Sequence, residues 1–380
     1  MAKHKIYLDY AAATPLDEKV FKAMQPYFTE KFYNPSALYL SAKSVSKDIS
    51  DARDAIAKQL GVKPGELIFT AGGTEANNLA IFGIMRQYPD ANVVTSSLEH
   101  DSVLKPASNF RHKSVKSEKN GIINTVDLKS KIDNQTVLVS VMYANNEIGT
   151  IQPINEVSKI IKVIRQQRKE SGNILPLYLH TDAAQATNYL DVNPNKLGVD
   201  LMTINGGKIY GPKQSGVLYK SKMLQLQPII FGGGQERGLR SGTENIANII
   251  GFSAALSIVS SRKKLEVNRL AMLQQKFTYG VIKINSGIQI NGSYKHRLPN
   301  IINVMFPNID NERLVMELDE RGVMCASGSA CSASNDEPSH VLSAIGLKKD
   351  QINSSVRFSL GIDTTEVDID KVINLLKEYC

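Results

Sequence analysis

Residues 66–85 read ELIFTAGGTEANNLAIFGIM, and this stretch indicates the fold class of the chain. The apolar run that ends at Thr70 is typical of a buried strand, whereas the residues up to Met85 follow a helical pattern. Gly72 and Gly73 mark a tight turn between the two. A strand joined to a helix by a short turn is the repeating unit of α/β proteins, so the stretch predicts an α/β fold.

The same alternation continues through the middle of the chain. Further strands are predicted at 92–95, 136–142, 177–181, 200–204 and 216–219, and helical patterns separate most of them. We therefore expect a large α/β domain with a mostly parallel sheet, spanning residues 15–259. Thr14 is expected to cap the first helix, with Pro15 in its first turn.

The pattern changes from about Ser260 onward. A long helix over 262–282 leads to strands at 287–291 and 300–306, a helix over 311–320, and a last strand at 355–360. We expect residues 260–380 to form a smaller α+β domain together with residues 1–14, because chain ends often lie close together.

Composition excludes several classes of protein. The chain has 380 residues, of which 42% are hydrophobic and 22% charged, as in ordinary globular proteins. Its apolar runs are far shorter than the ~20 residues that a membrane span needs, so no membrane association is expected. The net charge of +8 is scattered without interleaved aromatic residues, which argues against direct nucleic-acid binding and permits an acidic protein partner.

The cysteine content indicates the cellular compartment. Three cysteines exclude a disulfide scaffold and indicate a reduced, cytoplasmic protein. Cys325 and Cys331 have no second cysteine pair or histidine pair nearby, so no metal site is expected.

Polar or titratable residues follow five of the predicted strands. In a parallel sheet the carboxyl ends of the strands meet at one end, where ligands bind. Each residue taken alone has a simpler interpretation as a turn, a helix cap or a solvated lysine. The residues in question are Gly72, Gly73 and Thr74; Glu99 and His100; Asn145, Asn146 and Glu147; Asp182 and Gln185; and Asn205 to Lys208.

Together these residues match the requirements of pyridoxal 5′-phosphate. Lys208 can form the Schiff base, Asp182 can pair with the pyridinium nitrogen, and the His100 ring can stack on the cofactor. The helix that begins at Gly73 can hold the phosphate on its N-terminal N–H groups. The glycine turn is neither a P-loop nor a dinucleotide-binding fingerprint.

Two further residues stand out in the C-terminal part. Cys331 lies among small residues from Ser327 to Ser334, so it is either an incidental thiol in a linker or a nucleophile on an exposed arm. Arg357 lies inside a predicted strand and needs an anion, which is either a substrate carboxylate or a structural ion-pair partner. Cys325 is expected to be structural.

Motifs along nearly the whole chain resemble the cysteine desulfurases of the NifS/IscS type. These are fold-type I pyridoxal-phosphate enzymes of the class V aminotransferase group. The motifs are residues 7–15, 34–36, 73–78, 99–100, 145–149, 182–185, 208–213, 240–245, 327–331 and 357–361.

The resemblance implies a role for each candidate residue. It implies Lys208 as the Schiff-base lysine, Asp182 on the pyridine nitrogen, Gln185 on the ring hydroxyl, His100 stacked on the ring and assisting proton transfer, and Asn146 beside the ring. Gly73 and Thr74 would hold the phosphate, with Thr243 entering from the other subunit of a homodimer. Arg357 and Asn34 would bind the carboxylate of L-cysteine, and Cys331 would take its sulfur as a persulfide and release alanine.

The implied activity is sulfur supply to acceptor proteins for iron–sulfur clusters or tRNA thiolation. Two other interpretations stay open: another class V enzyme, such as an aminotransferase or selenocysteine lyase, and a non-catalytic scaffold. The chain departs from the family at Asn205, Gly206 and Gly207, where Ser-x-His usually precedes the lysine. Asn205 can still donate a hydrogen bond to the phosphate. Because the histidine beside the lysine is missing, one polar contact is lost, and we expect weaker cofactor binding or slower turnover.

Overall fold

The computed structural model describes residues 5–328 and 338–379. Its strands are β1 Ile6–Tyr7, β2 Leu67–Thr70, β3 Asn92–Ser96, β4 Arg111–Val115, β5 Thr136–Ser140, β6 Tyr178–Asp182, β7 Leu201–Asn205, β8 Gly216–Lys220, β9 Gln289–Asn291, β10 Ile301–Met305, β11 Val323–Met324 and β12 Ser355–Ser359.

Helices of very different length connect these strands. They are α1 Glu18–Met24, α2 Pro26–Thr29, α3 Leu40–Leu60, α4 Gly73–Met85, α5 Asp101–Ala107, α6 Thr125–Lys131, α7 Ile154–Glu170, α8 Pro194–Leu197, α9 Ile246–Ile282, α10 Asn311–Glu320, α11 His340–Ala344, α12 Lys349–Ile352 and α13 Glu366–Leu376. Short 3₁₀ turns occur at Pro64–Glu66, Gly206–Lys208 and Glu236–Gly238.

The main sheet has seven strands in the order β2-β8-β7-β6-β5-β3-β4. Strands β4, β3, β5, β6 and β7 run parallel, and β8 alone runs antiparallel to its neighbours β7 and β2. Every residue of β2, β3 and β5 is buried, as expected for strands covered by helices on both faces. The predicted α/β fold with a mostly parallel sheet is therefore confirmed.

A local sequence signal explains where helix α3 ends. Helix α3 buries Val45, Ile49 and Ile56 on one face, and it stops at Gly61, which has a left-handed backbone (φ 69°). The helix end follows because glycine adopts this conformation without steric strain.

Two predicted helix starts are wrong. Thr14 does not cap α1; Asp17 does, accepting a hydrogen bond from the Lys19 N–H over 2.8 Å. The Thr14 hydroxyl instead donates to the Gly207 carbonyl (3.1 Å) and accepts from the Tyr210 N–H (2.9 Å). These two bonds brace the turn around Lys208, and the sequence motif alone could not distinguish this tertiary role from a cap.

The long helix predicted over 262–282 in fact begins at Ile246, after the Asn245 cap. It is a single helix of 37 residues. The predicted domain boundary at 259/260 thus lies inside α9, and the division into two domains stays a prediction.

Two smaller sheets are formed by the C-terminal part of the chain and the N-terminal strand. Strands β12, β10 and β9 form an antiparallel sheet, and β1 pairs with β11. Asp9 continues from β1 to bridge Ser359 of β12. The carbonyls of Ala11 and Ala12 then accept from the side chain of Lys208, which follows β7, so the N-terminal segment reaches the carboxyl end of the main sheet. Within the described ranges, no helix has the length and apolar character needed to cross a bilayer.

Candidate active site

A cavity at the carboxyl end of the main sheet brings nine of the predicted site residues together. They are Gly73, Thr74, His100, Asn146, Asp182, Gln185, Asn205, Lys208 and Arg357. A second cavity adjoins it and is also lined by Gly73, Thr74, Asn205 and Lys208, together with Gly72. Side chains from distant parts of the sequence meet here because β2, β5, β6 and β7 all end on this side.

Lys208 lies in the 3₁₀ turn directly after β7. Its Nζ donates to the carbonyl oxygens of Ala11 (2.8 Å) and Ala12 (2.6 Å). Its own carbonyl accepts a hydrogen bond from the Asn188 side chain over 2.6 Å. The N-terminal segment therefore orients the amine of the lysine, and Asn188 holds its backbone.

The turn before α4 forms one wall of both cavities. Gly72 has φ 126° and ψ −179°, a conformation that residues with a Cβ rarely adopt. A Cβ on Gly73 would lie 3.3 Å from Nδ2 of Asn205, so the glycine leaves open space beside that amide. The first N–H groups of α4 have no partners within the helix, which makes this end favourable for an anion.

Asp182, at the end of β6, is 8% exposed. One carboxylate oxygen accepts from the Ala184 N–H (2.9 Å), and the other accepts from the Asn77 side chain (2.7 Å). Asn77 also donates to the Ser102 hydroxyl over 2.8 Å, and its own Oδ1 has no partner. Two neutral donors thus orient the carboxylate.

Asn77 and Ser102 were missed by the sequence analysis. The position of Asn77 could have been predicted, because it lies one turn into the helix that begins at Gly73 and therefore close to the same cavity.

His100 caps α5 through its ring. Nδ1 accepts from the Ser102 N–H over 3.0 Å and lies 2.8 Å from the Ser102 hydroxyl. The simpler interpretation of His100 as a helix cap is therefore correct, and the ring also lines the cavity. The cap orients the ring, so the two roles are compatible.

Arg357 lies on β12 with 1% of its side chain exposed. Its Nη2 pairs with the Asp9 carboxylate at 2.6 Å, and its Nη1 donates to the Asn146 carbonyl at 3.0 Å. Its Nε has no hydrogen-bond partner within residues 5–328 and 338–379. The structural ion pair that the sequence left open is present, and the guanidinium also lines the cavity with a donor to spare.

Two further predicted residues, Asn34 and Thr243, do not line this cavity. Asn34 is exposed and its Oδ1 accepts from the Ser36 N–H; Thr243 is exposed on a neighbouring cavity. The structure brings neither to the cavity that holds Lys208. Cys331 lies outside the described residues.

Two groups near the site, Glu99 and Cys325, have raised pKa values. Burial, reinforced by the nearby Asp182 charge, raises the pKa of Glu99 well above its ordinary value, although its Oε1 accepts from the Met142 N–H. Burial, reinforced by the Asp9 charge, also raises the pKa of the Cys325 thiol. The Cys325 thiol therefore stays protonated near pH 7, which supports its structural interpretation.

The comparisons with known proteins decide the family. The model of the aminotransferase class-V family matches residues 6–372. The chain is 41% identical to the cysteine desulfurase IscS of Dictyoglomus turgidum, a match covering 99% of this chain and 94% of that protein. It belongs to the class V aminotransferases. Cysteine desulfurase IscS 1 of Archaeoglobus fulgidus is 40% identical, over 97% of this chain and 95% of that protein.

Solved structures of class V relatives show the same fold. A NifS-like protein superposes with a TM-score of 0.90 at 30% identity and covers 99% of both chains. SspA in complex with cysteine superposes with a TM-score of 0.80 at 33% identity, over 94% of this chain and 99% of SspA. Cysteine desulfurases of this family depend on pyridoxal phosphate, and the predicted fold type I is confirmed.

The residues present fit that cofactor. Gly73 leaves a cradle that a Cβ would fill, beside a helix N-terminus suited to a phosphate. Asp182 supplies a buried carboxylate for a pyridinium nitrogen, and Lys208 supplies the amine. Lysine, carboxylate, imidazole and helix end therefore match the aldehyde, the ring nitrogen, the ring face and the phosphate of the cofactor.

Proposed function

We propose that this enzyme is a cysteine desulfurase that converts L-cysteine to L-alanine and transfers the sulfur through a persulfide on Cys331. The observation that carries the proposal is the convergence of Lys208, Asp182 and Arg357 on one cavity. An amine, a carboxylate for the pyridinium ring and a guanidinium for the substrate carboxylate are the groups that an amino acid and this cofactor need together.

The residues around the cavity would hold pyridoxal phosphate by its different parts. Gly73, Thr74 and Asn205 are assigned to the phosphate; Asp182, Gln185, His100 and Asn146 to the ring; and Lys208 to the aldehyde. The chemistry that the cofactor supplies when bound is withdrawal of electrons from the α-carbon of the substrate.

Lys208 serves as the base that removes the α-proton. The carbonyls of Ala11 and Ala12 hold its Nζ in place, 2.8 and 2.6 Å away, so little reorganisation is needed before the proton is taken. Gln185 donates to the same Ala11 carbonyl over 2.9 Å, which ties the ring side of the cavity to the lysine.

Arg357 binds the substrate carboxylate. Its planar fork of N–H donors suits a carboxylate, and burial strengthens the interaction because water is excluded. The contribution of Asn34 to carboxylate binding stays a prediction.

Cys331 attacks the substrate sulfur as a thiolate. The Cβ–S bond breaks and leaves its electron pair on the carbon side, while an S–S bond forms on Cys331. Cβ then takes up a proton, and the α-proton held by Lys208 returns to the α-carbon, which gives alanine. A thiolate is a soft nucleophile suited to sulfur, and the persulfide is a reversible carrier that an acceptor thiol can remove.

Packing accounts for Gly206, which stands at the variable position of the Ser-x-His pattern, but not for the two departures at Asn205 and Gly207. A Cβ on Gly206 would lie 2.0 Å from the Ser215 hydroxyl oxygen, so this position favours glycine. Among the described residues, a Cβ on Gly207 would meet no atom closer than 3.7 Å, so the missing histidine has no explanation in packing. Asn205 uses Oδ1 to accept from the Gly207 N–H (3.1 Å), which leaves its Nδ2 for the phosphate. We expect reduced cofactor affinity relative to chains with Ser-x-His.

A homodimer completes the proposal. Large apolar side chains are exposed close together in sequence: Phe28, Phe32, Leu38, Tyr39 and Leu40 are between 54% and 87% exposed. Such a patch favours a protein interface. Thr243, exposed beside an adjacent cavity, is the residue proposed to reach the phosphate of the partner subunit.

Acceptor proteins and location complete the proposed role. The acceptors are proteins of iron–sulfur cluster assembly or tRNA thiolation, for which the net charge of +8 favours acidic surfaces. The low cysteine content favours a reduced cytoplasmic location.

The test compares two cysteine variants of the holoenzyme. Cys331→Ser should abolish alanine formation from L-cysteine in the presence of an acceptor thiol, whereas the matched variant Cys325→Ser should retain it within about twofold. Both variants should keep the cofactor's absorbance band. Undiminished alanine formation by Cys331→Ser would instead favour another class V activity, and a protein that never binds the cofactor would favour a scaffold.

A further inference from the structure

The N-terminal residue Asp9 lies against the arginine assigned to the substrate carboxylate. Asp9 Oδ1 is 2.6 Å from Arg357 Nη2, and the two side chains are 19% and 1% exposed.

The backbone around Asp9 holds the carboxylate in place. Its carbonyl accepts from the Tyr7 hydroxyl (3.0 Å) and from the Ala12 N–H (3.0 Å), and the residue bridges Ser359 on the same strand as Arg357. The acid is therefore built into the fold beside the guanidinium, and it is not a chance surface contact.

The guanidinium of Arg357 has an N–H donor that is not hydrogen-bonded to the described residues. Within the described part of the chain, Nη1 donates to the Asn146 carbonyl (3.0 Å), Nη2 pairs with Asp9, and Nε has no partner. The buried Arg168 of α7 also has an Nε without a partner in that part, so this feature alone does not identify a ligand site. Arg357 differs because it lines the cavity that holds Lys208, where a further acceptor can reach the guanidinium. A ligand carboxylate is the acceptor that a cavity-lining guanidinium takes most readily.

We propose that Asp9 is a positioning residue that balances the charge of Arg357 and thereby sets the enzyme's affinity for the carboxylate of its amino-acid substrate. This inference rests on the proposed function of Arg357. In the absence of substrate, Asp9 neutralises the buried guanidinium and holds its orientation. When the substrate binds, its carboxylate becomes the second anion on the same cation.

Two carboxylates on one guanidinium repel each other. Asp9 lies 2.6 Å from the guanidinium and a bound carboxylate lies at about 2.8 Å, so the two anions lie within roughly 6 Å of each other. At the effective dielectric of a protein interior, this repulsion weakens carboxylate binding on the order of tenfold or more. Weaker ground-state binding also favours release of alanine, which carries the same carboxylate.

The experiment measures binding to the holoenzyme by calorimetry with two probes. L-alanine carries both the amine and the carboxylate, whereas ethylamine lacks the carboxylate. Asp9→Asn keeps an acceptor oxygen for Nη2 and removes the charge. We expect it to bind L-alanine about tenfold more tightly and ethylamine within twofold of the unmodified enzyme. Asp363→Asn is the matched control, because Asp363 accepts from the Tyr10 hydroxyl (3.2 Å) and has no contact with Arg357 among the described residues.

Further variants separate this inference from the function on which it rests. Asp9→Ser is a second neutral substitution with the same expected result if Asp9→Asn does not fold, and Asp9→Glu should show no tightening. Unchanged or weaker L-alanine binding in the neutral variants would overturn the role of Asp9. If Arg357→Lys left the preference for L-alanine over ethylamine intact, the assignment of Arg357 itself would be wrong.

Discussion

The two ends of the main sheet each hold a buried arginine, and the two are used differently. Arg168, on α7, lies at the amino end of β5 and β6, whereas Arg357 lies near their carboxyl ends. Both are almost fully buried, with 4% and 1% of the residue exposed. Burial alone therefore does not distinguish a structural arginine from one that binds a ligand.

The partners make the distinction. Arg168 donates to four backbone carbonyls, those of Asp133, Thr136, Leu175 and Pro176, at 2.6 to 3.3 Å. These acceptors belong to the chain's own turns, so Arg168 links the segments that lead into two strands. Arg357 has one carbonyl and one carboxylate, and a carboxylate from a ligand can take part in the same kind of contact.

The largest expected effect comes from Arg357→Lys. The change keeps the positive charge beside Asp9 but loses the planar fork, so kcat/KM for L-cysteine should fall about 10²- to 10³-fold, equivalent to about 3–4 kcal/mol. The free energy of unfolding should change by less than about 1 kcal/mol, measured by urea denaturation. A large loss of stability with normal kinetics would make Arg357 structural, like Arg168.

Arg168→Lys should show the opposite behaviour. A lysine cannot reach all four carbonyls, so buried acceptors lose their donors and the free energy of unfolding should fall by about 3 kcal/mol. The kcat/KM of the folded enzyme should stay within about twofold. Urea denaturation and steady-state kinetics on the same preparation would check both statements.

The middle of the sheet, between the two arginines, should make stability depend on pH. His180 is fully buried on β6, with Nδ1 2.8 Å from the Ser140 hydroxyl and Nε2 3.1 Å from the Thr203 hydroxyl. Burial lowers its pKa from 6.5 to about 4. Below pH 6.5 the unfolded chain takes up a proton here that the folded protein does not accept until about pH 4. The contribution is therefore fully present above pH 6.5 and is lost as the pH falls.

The expected size of this loss is about 3 kcal/mol between pH 6.5 and pH 4, at about 1.4 kcal/mol per pH unit. Urea denaturation at several pH values would measure it. His180→Asn should remove most of this component, and an unchanged pH dependence in that variant would assign the effect to other groups.

The smallest expected effect concerns a contact between the carboxyl end of the sheet and α11. The Ser339 hydroxyl donates to the buried Glu147 carboxylate over 2.6 Å. Ser339→Ala removes this donor and also the helix cap that accepts from the Leu342 N–H (3.1 Å), so it should cost about 1–2 kcal/mol of unfolding free energy. Ser261→Ala, at an exposed serine on α9, should cost less than about 0.5 kcal/mol. Equal effects of the two changes would show that the buried contact adds nothing.

Much of the fold could be predicted from local pattern. The strands at β2, β3, β5, β6, β7 and β8 and the end of α3 lie within two residues of their predicted positions, because buried parallel strands and glycine-terminated helices leave strong signals. Strand β4 was missed because its residues, Arg111 to Val115, are mostly polar and partly exposed at the sheet margin.

The kinds of side chain that line the cavity could also be predicted from the sequence. Lysine, carboxylate, imidazole and a glycine turn each follow a strand, and the rule that parallel strands end on one side places them together. Sequence could not assign the neutral residues that orient these groups. Asn77, Ser102 and Asn188 are ordinary polar residues until their partners are known, because each acts through hydrogen bonds to residues that only the fold brings near.

The sequence by itself therefore determined the α/β architecture, the family and the reacting groups, because these depend on local periodicity and on residue identity. Only the tertiary structure decided how Arg357 and Lys208 are held. The segment from Asp9 to Ala12 supplies a carboxylate to Arg357, about 350 residues away, and carbonyl oxygens to Lys208, about 200 residues away. Contacts between residues so far apart follow from packing of the whole chain, and no local pattern encodes them.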